Sequence, residues 1–294
     1  MNAISRIFVC VAGLGFCFLV EDVGVRNSSS AEPANDPKII YQAGLAELCA
    51  VLQKDGYSID PYLSHPSFRV YENIANSFKK SAETTGYVNY RKNSRDVSDS
   101  ARAEAFRKEL DAYKKKLGYS EKQQEIVRFM RNNREQLASC EEKYGAPREL
   151  TAAVIGMEST FGKVTGRYYA FNVYVSMYLC GYRKEFALTE LKELLKFAGK
   201  KKIDIFTLRS SYGGAMGNMQ FIPSSLNRWF VGTGTDLTDM DVTIASVANY
   251  LGHFLKLEGT DEKAVYRYNQ STFYTRTVLD LAEFARTYAM ADRM

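Results

Sequence analysis

Ile155-Gly156-Met157-Glu158-Ser159-Thr160-Phe161-Gly162 is the stretch on which the fold turns, because it sets one carboxylate where an apolar helix stops and a glycine-bounded loop begins. Upstream, Pro147 stands at the place of a first helical residue and is followed by Arg148, Glu149, Leu150, Thr151, Ala152, Ala153, Val154 and Ile155. That pattern predicts a short, mostly buried helix. Glu158 is then carried to the edge of the core. A carboxyl with an apolar body on one side and little water on the other has its pKa raised by desolvation, and so keeps a proton to donate near neutral pH. On this stretch alone, a catalytic acid and a surface Glu near a helix end are both open readings.

The rest of the chain narrows the choice. With 294 residues, 46% apolar and 25% charged, it is globular and long enough for one large or two modest domains. The net charge of +5 is mild and the basic residues are scattered, which suits an anionic polymer or a negative surface without requiring nucleic acid. Arg6 followed by an apolar run over residues 7–20 fits an export signal and is shorter than the roughly 20 residues of a membrane span. Residues 1–31 are read as that signal, with Ser29-Ser30-Ala31 as the cleavage site, and no stable span is expected after its removal. Leu14-Gly15-Phe16-Cys17 partly matches a lipoprotein box, with Phe16 where a small residue belongs; lipid anchoring through Cys17 is the alternative. Cys49, Cys140 and Cys180 remain outside the signal, too few and too widely spaced for a disulfide framework or a zinc pattern. His65 and His253 are the only histidines, so a histidine metal site or a Ser-His triad is poorly supplied.

Residues 32–100 are read as a tether and an N-terminal helical region. Ile39, Ala43, Ala46, Cys49, Ala50 and Leu52 recur at helical spacing over residues 38–55, closed by Gly56, and a weaker helix is expected over 67–81. Residues 84–99 form a polar connection and 101–117 a helix. Ser120 and Gln123 suggest a capping box opening an amphipathic helix that runs to Gly145. Helices are also expected over 168–179, over 184–198 with Gly199 ending it, after Asp241 as a cap, and over 278–288. Almost nothing alternates as a strand would, so the chain reads as mainly α.

The second informative stretch is Ser210-Ser211-Tyr212-Gly213-Gly214-Ala215-Met216-Gly217-Asn218-Met219-Gln220-Phe221-Ile222-Pro223-Ser224-Ser225. Its glycines let backbone approach backbone or ligand, while Ser211, Asn218 and Gln220 offer neutral hydrogen-bonding groups. It lacks the Gly-Lys-Ser/Thr ending of a phosphate-binding loop. A neutral polar rim beside aromatic side chains suits a sugar, whose hydroxyls lie around its edge and whose C–H groups lie above and below.

Glu158-Ser159-Thr160-Phe161-Gly162, the run from Gly214 to Ser225, Ile244-Ala245-Ser246-Val247-Ala248-Asn249-Tyr250-Leu251 and Tyr268-Asn269-Gln270-Ser271 together resemble, in this order, the B-type lytic murein transglycosylases of glycoside hydrolase family 103. The resemblance extends from about Tyr113 to the C-terminus. It implies a lysozyme-like α-domain carrying a catalytic Glu, an additional helical domain, residues 101–294 as the catalytic region, and peptidoglycan glycan strands as the partner. The implied reaction cleaves the β-1,4 bond between N-acetylmuramic acid and N-acetylglucosamine and leaves 1,6-anhydro ends, with Glu158 as acid and then base. Tyr113, Ser211, Gln220, Tyr250, Tyr268, Asn269 and Tyr274 match the family's groove residues, and Arg183-Lys184 stands at the place of a family Arg-Arg pair. No cofactor or metal is implied: some members carry a calcium loop after the Gln-Phe motif, but residues 229–241 lack a roughly twelve-residue acidic loop, and Val242 stands where an Asp is expected. The alternatives are a muramidase that admits water, with Asp204, Asp236 and Glu190 as candidate second carboxylates, and a non-catalytic peptidoglycan-binding protein.

Overall fold

The computed structural model describes residues 41–74, 76, 77 and 99–291, so the expected export signal, Cys10, Cys17, the expected tether and the expected polar connection up to residue 98 lie outside the described residues. The helices, in chain order, are α1 (Gln42–Lys54), α2 (Asp60–Leu63), α3 (Asp99–Lys116), α4 (Tyr119–Asn132), α5 (Arg134–Tyr144), α6 (Arg148–Ser159), α7 (Ala170–Leu179), α8 (Lys184–Lys201), α9 (Pro223–Trp229), α10 (Met240–Glu258), α11 (Asp261–Tyr268) and α12 (Thr272–Ala291). Two short strands, β1 (Tyr168–Tyr169) and β2 (Arg209–Ser210), pair antiparallel, Tyr168 opposite Ser210 and Tyr169 opposite Arg209.

A helix that is apolar all round must be covered all round. Helix α6 is that helix: every residue from Leu150 to Met157 is buried, and α4, α5, α10 and α12 pack around it. Ala152, Ala153 and Gly156 keep its surface low enough for that many neighbours. Pro147 precedes it with an extended backbone, as the N-cap and not the first helical residue. The hydrophobic core is continuous from Leu45 on α1 to Ala285 on α12.

Several expected elements settle differently, each for a local reason. On α1 the buried stripe is Leu45, Leu48 and Leu52, while Ala43, Ala46 and Ala50 are exposed. Both sets have helical spacing, and the leucines gain more from leaving water. The expected capping box does not form: Gly118, left-handed, is the N-cap of α4, and no side chain caps it. The long helix to Gly145 is two helices, broken at Asn133, whose side-chain amide donates to the Phe129 carbonyl at 2.8 Å. Such local bonding competes with helix continuation. Of the weaker helix expected over 67–81, residues 74, 76 and 77 are helical, and 75 and 78–81 lie outside the described residues. Residues 67–73 are turn and extended chain, because α7 takes their backbone groups: Asn172 donates to the Ser67 carbonyl at 2.8 Å, and Tyr71 N–H donates to Ser176 Oγ at 2.7 Å. Helix α8 runs through Gly199 to Lys201. Asp239, not Asp241, caps α10, its carboxylate accepting from Val242 N–H at 3.0 Å, and α12 begins at Thr272.

The strand pair is held tight by Gly166. A Cβ there would lie 2.4 Å from the Ser210 carbonyl carbon, so the loop after α6 presses directly on β2. Tyr174, fully buried on α7, donates its hydroxyl to the Gly214 carbonyl at 2.9 Å and fills the space a side chain at Gly214 would need. These two contacts place the glycine-rich stretch against the end of α6.

Candidate active site

Glu158 lies in the last turn of α6, the one residue between Leu150 and Ser159 that is not fully buried. The chain then turns through three left-handed residues in succession: Thr160 at φ 48°, Phe161 at φ 58° and Gly162 at φ 85°. For the two non-glycine residues this conformation costs about 1–2 kcal/mol each. Local contacts offset it. Phe161 folds back into the hollow left by Gly156, where a Cβ would stand 2.5 Å from its ring, and its ring centroid lies 5.1 Å from that of Phe129. Ser159 Oγ accepts from Gly162 N–H at 3.0 Å.

Burial pushes the Glu158 pKa up to about 7, against a hydrogen bond from Tyr274 and the charge of Lys122, which both favour the carboxylate. The Tyr274 hydroxyl on α12 donates to Glu158 Oε1 at 2.5 Å. Tyr113, Tyr268 and Tyr274 are all buried, and each phenol is pushed up first by that burial and then by the Glu158 charge. Three tyrosines from three helices therefore close on one carboxyl. Loss of the Tyr274 hydroxyl removes a donor to the charged form, so Tyr274→Phe is expected to raise the Glu158 pKa further. The protonated acid then survives to higher pH: the alkaline limb of kcat/KM moves up, and the plateau falls about tenfold because the carboxylate stage loses its support. A pH–rate profile checks this; an unmoved limb would mean the hydroxyl does not act on the acid.

The other expected residues form a connected wall. Ser211 Oγ accepts from Ala215 N–H at 3.2 Å, closing the glycine turn. Gln220, itself at φ 48°, donates through its side-chain amide to Thr165 O at 3.1 Å and Gly217 O at 2.8 Å, tying the wall to the loop after α6. Tyr268 OH donates to Met219 O at 2.5 Å, and Tyr250 OH donates to Arg267 O at 2.6 Å. Tyr250 thus draws its support from α11 and from the rings of Phe221, Trp229, Phe254 and Tyr268. Asn269 Oδ1 is a buried acceptor without a hydrogen bond.

Arg183, the left-handed N-cap of α8, lies over the Phe186 ring at 4.0 Å. Lys184 has a partner of its own: it pairs with Glu47 on α1 at 2.9 Å and lies over the Tyr178 ring. The three rival carboxylates are occupied elsewhere. Asp204 caps the turn at residues 205–207, exposed Asp236 accepts from Thr238, and Glu190 accepts from Ser224 N–H and Oγ at 2.9 and 2.8 Å. That last pair caps α9, and burial pushes Glu190 up to about 7. Among the described residues, no three His, Cys, Asp or Glu side chains converge as metal ligands.

One neighbour of the acid is absent from the residues that sequence reasoning selects. Lys122 is buried on α4, and its ammonium donates to Gly156 O at 2.8 Å and Thr160 Oγ1 at 2.9 Å. Its signal was a lysine on the apolar stripe it shares with Ile126 and Phe129.

The fold and this arrangement define a lysozyme-like α-domain that presents a proton-holding carboxyl at a helix end. Residues 67–254 match the family described as the transglycosylase SLT domain, well over half of the chain. The chain belongs to that family. It is 32% identical over 143 residues to membrane-bound lytic murein transglycosylase B of Escherichia coli K12, a match that covers 47% of this chain and 40% of that relative's length. The fold is shared with the soluble lytic transglycosylase SltB1 of Pseudomonas aeruginosa, at a TM-score of 0.66 and 19% identity over 83% of this chain and 99% of that one. It is also shared with SltB3 of the same species, solved in complex with NAG-NAM-pentapeptide, at 0.63 and 15% identity over 86% and 80%. Among the described residues no helix is long and apolar enough to cross a membrane.

Proposed function

We propose that the protein is exported to the periplasm, where it cleaves the β-1,4 bond between N-acetylmuramic acid and N-acetylglucosamine in peptidoglycan strands as a lytic transglycosylase. The observation that carries the reading is Glu158, a carboxyl whose burial keeps its proton near neutral pH and whose neighbours are phenols and one lysine. A two-carboxylate hydrolase places its pair about 5–9.5 Å apart, and the candidate partners here cap other elements. A lone acid that must also serve as the base suits a sugar that supplies its own nucleophile.

In this route Glu158 gives its proton to the glycosidic oxygen as the bond from C1 breaks. The C6 hydroxyl oxygen of the same sugar then bonds to C1, and its proton passes to the Glu158 carboxylate, which restores the acid. No water is consumed. Tyr274 holds the carboxylate between the two transfers, while Tyr113, Tyr268, Ser211, Gln220, Tyr250 and Asn269 form the groove. The unbonded Asn269 Oδ1 fits an acceptor reserved for a sugar hydroxyl or acetamido N–H, since a buried acceptor left unpaired costs about 1–3 kcal/mol. Arg183 and Lys184 are assigned to the carboxylates of the lactyl and peptide groups.

The test is the mass of the products released from purified sacculi. Fragments one water lighter than hydrolysis products, without reducing ends, are expected. Reducing ends alone would replace this mechanism with that of a muramidase, and no release at all would leave a binding protein.

A further inference from the structure

The buried ammonium of Lys122 brackets the acid. Its two acceptors, Gly156 O and Thr160 Oγ1, lie two residues before and two residues after Glu158. Gly156 is among the last four residues of α6, whose carbonyls have no partner within the helix, and a cation there is favoured by the partial negative charge of the helix end. Thr160 is the first residue of the strained turn, so the same group pins the helix end and the reversal that follows it.

Two neutral hydrogen bonds would do that without a charge. A buried ammonium is costly unless something compensates it, and here compensation depends on the state of Glu158. The groups acting on Lys122 are Glu158 from α6, Glu121 and Glu125 from its own helix, and Lys163 from the loop after α6. Glu125 is already engaged by Lys163 at 2.5 Å. Burial pushes Lys122 down to about 8, so it is charged through the neutral range. While Glu158 holds its proton, the ammonium faces a neutral acid; once the proton is given up, it faces a carboxylate. The other groups coupled to Glu158 are Tyr274 on α12, Tyr113 on α3 and Tyr268 on α11, all neutral in this range.

We propose that Lys122 is a positioning residue for Glu158: its ammonium fixes the turn that sets the acid and stabilises the carboxylate that exists between the two proton transfers. The proposal rests on the reading of Glu158 as acid and base. It places Lys122 behind the acid, acting through it and not on the sugar.

The test uses the full chain with Lys122→Met, of similar length and uncharged, and Lys122→Gln, which keeps a neutral donor. The Glu158 carboxyl is titrated by carbon-13 NMR in glutamate-labelled protein, its resonance assigned as the one missing from Glu158→Gln. In parallel, kcat and KM are measured against pH on glycan strands. In both variants the Glu158 midpoint and the alkaline limb are expected to rise by about one pH unit, because a charge favouring the carboxylate is gone. The rate constant kcat is expected to fall roughly 10- to 100-fold with KM within about twofold. An unmoved midpoint, with activity falling only as folded protein is lost, would overturn the proposal and leave Lys122 a packing residue. Failure of both variants to fold would do the same. If the wild-type protein cleaves no glycan, the catalytic reading fails, yet the NMR midpoint still decides whether Lys122 acts on Glu158.

Discussion

Glu158→Gln is expected to lose about 10³-fold or more of the glycan-cleaving rate while remaining at least as stable as the wild-type protein. The replacement is isosteric, and its amide oxygen can still accept the Tyr274 hydroxyl that Oε1 accepts at 2.5 Å. What disappears is the exchangeable proton, used twice. General acid–base catalysis contributes about 10²–10⁴-fold for a single role, so 10³ is a modest expectation for a residue with two; it corresponds to about 4 kcal/mol of barrier. The stability half follows from the sign of the shift. The folded pKa of Glu158, about 7, lies above the ordinary glutamate value of 4.5, so the folded state binds its proton more tightly than the unfolded chain. Stability is fully present below the unfolded pKa and declines as pH rises through the folded value, because ionising a buried carboxyl is unfavourable. Gln escapes that loss. Denaturant midpoints at about pH 5 and pH 8 should therefore converge in the variant relative to the wild type. Wild-type activity in Glu158→Gln would mean that another group is the acid.

Gly166→Ala should have the largest effect on the frame of the site. Gly166 adopts φ +108°, and an added Cβ would lie 2.4 Å from Ser210 C, 2.5 Å from Ser210 O and 2.6 Å from Ser211 N, all backbone atoms that cannot swing aside. Strain at such a φ costs on the order of 1–2 kcal/mol, and forcing a close-packed contact apart costs about 1–3 more. A loss of roughly 3 kcal/mol follows from these two together. It should appear as a lowered guanidinium midpoint with an unchanged slope. Activity should fall as well, because the displaced strand leads directly into Ser211. Gly145→Ala is the control: Gly145 also has a positive φ, +76°, but has nothing within 4 Å of its Cβ position. It should cost only the strain, about 1 kcal/mol. Equal losses in the two variants would refute the tight joint at Gly166.

Helix α6 was legible because its signal is local: an apolar run without polar interruption, then Thr160-Phe161-Gly162. The predicted rise in the Glu158 pKa followed from the same run. Helix ends were harder. Asp239 and Asp241 are equally good caps by residue type, and only the path of the loop before α10 decides between them. On α1 spacing selects Leu52 but not Leu45 and Leu48, because alanines and leucines both recur at helical spacing, and spacing alone does not weigh buried area. Nor could propensity place a β-branched and an aromatic residue in a left-handed turn; Phe161 stays there because Gly156 leaves its ring a hollow and Lys122 holds Thr160. Lys122 itself was passed over because lysine is ordinarily a surface residue, and the carbonyl and hydroxyl that hold it come from the end of α6 and the turn after it. The tyrosines around Glu158 came from family resemblance, since no periodicity relates positions so far apart.

The bond between Tyr274 and Glu158 spans 116 residues of chain, and the one between Tyr268 and Met219 spans 49. Contacts of such separation form late, after the loop-closure entropy between them has been overcome. The proposed catalytic apparatus is therefore not a property of any folding intermediate in which α12 is undocked. A chain caught before its last helix seats would hold a glutamate at the end of an apolar helix and no enzyme. Catalytic competence is in this sense a proofreading mark on the finished topology: the acid is assembled only when both ends of the helical domain have met.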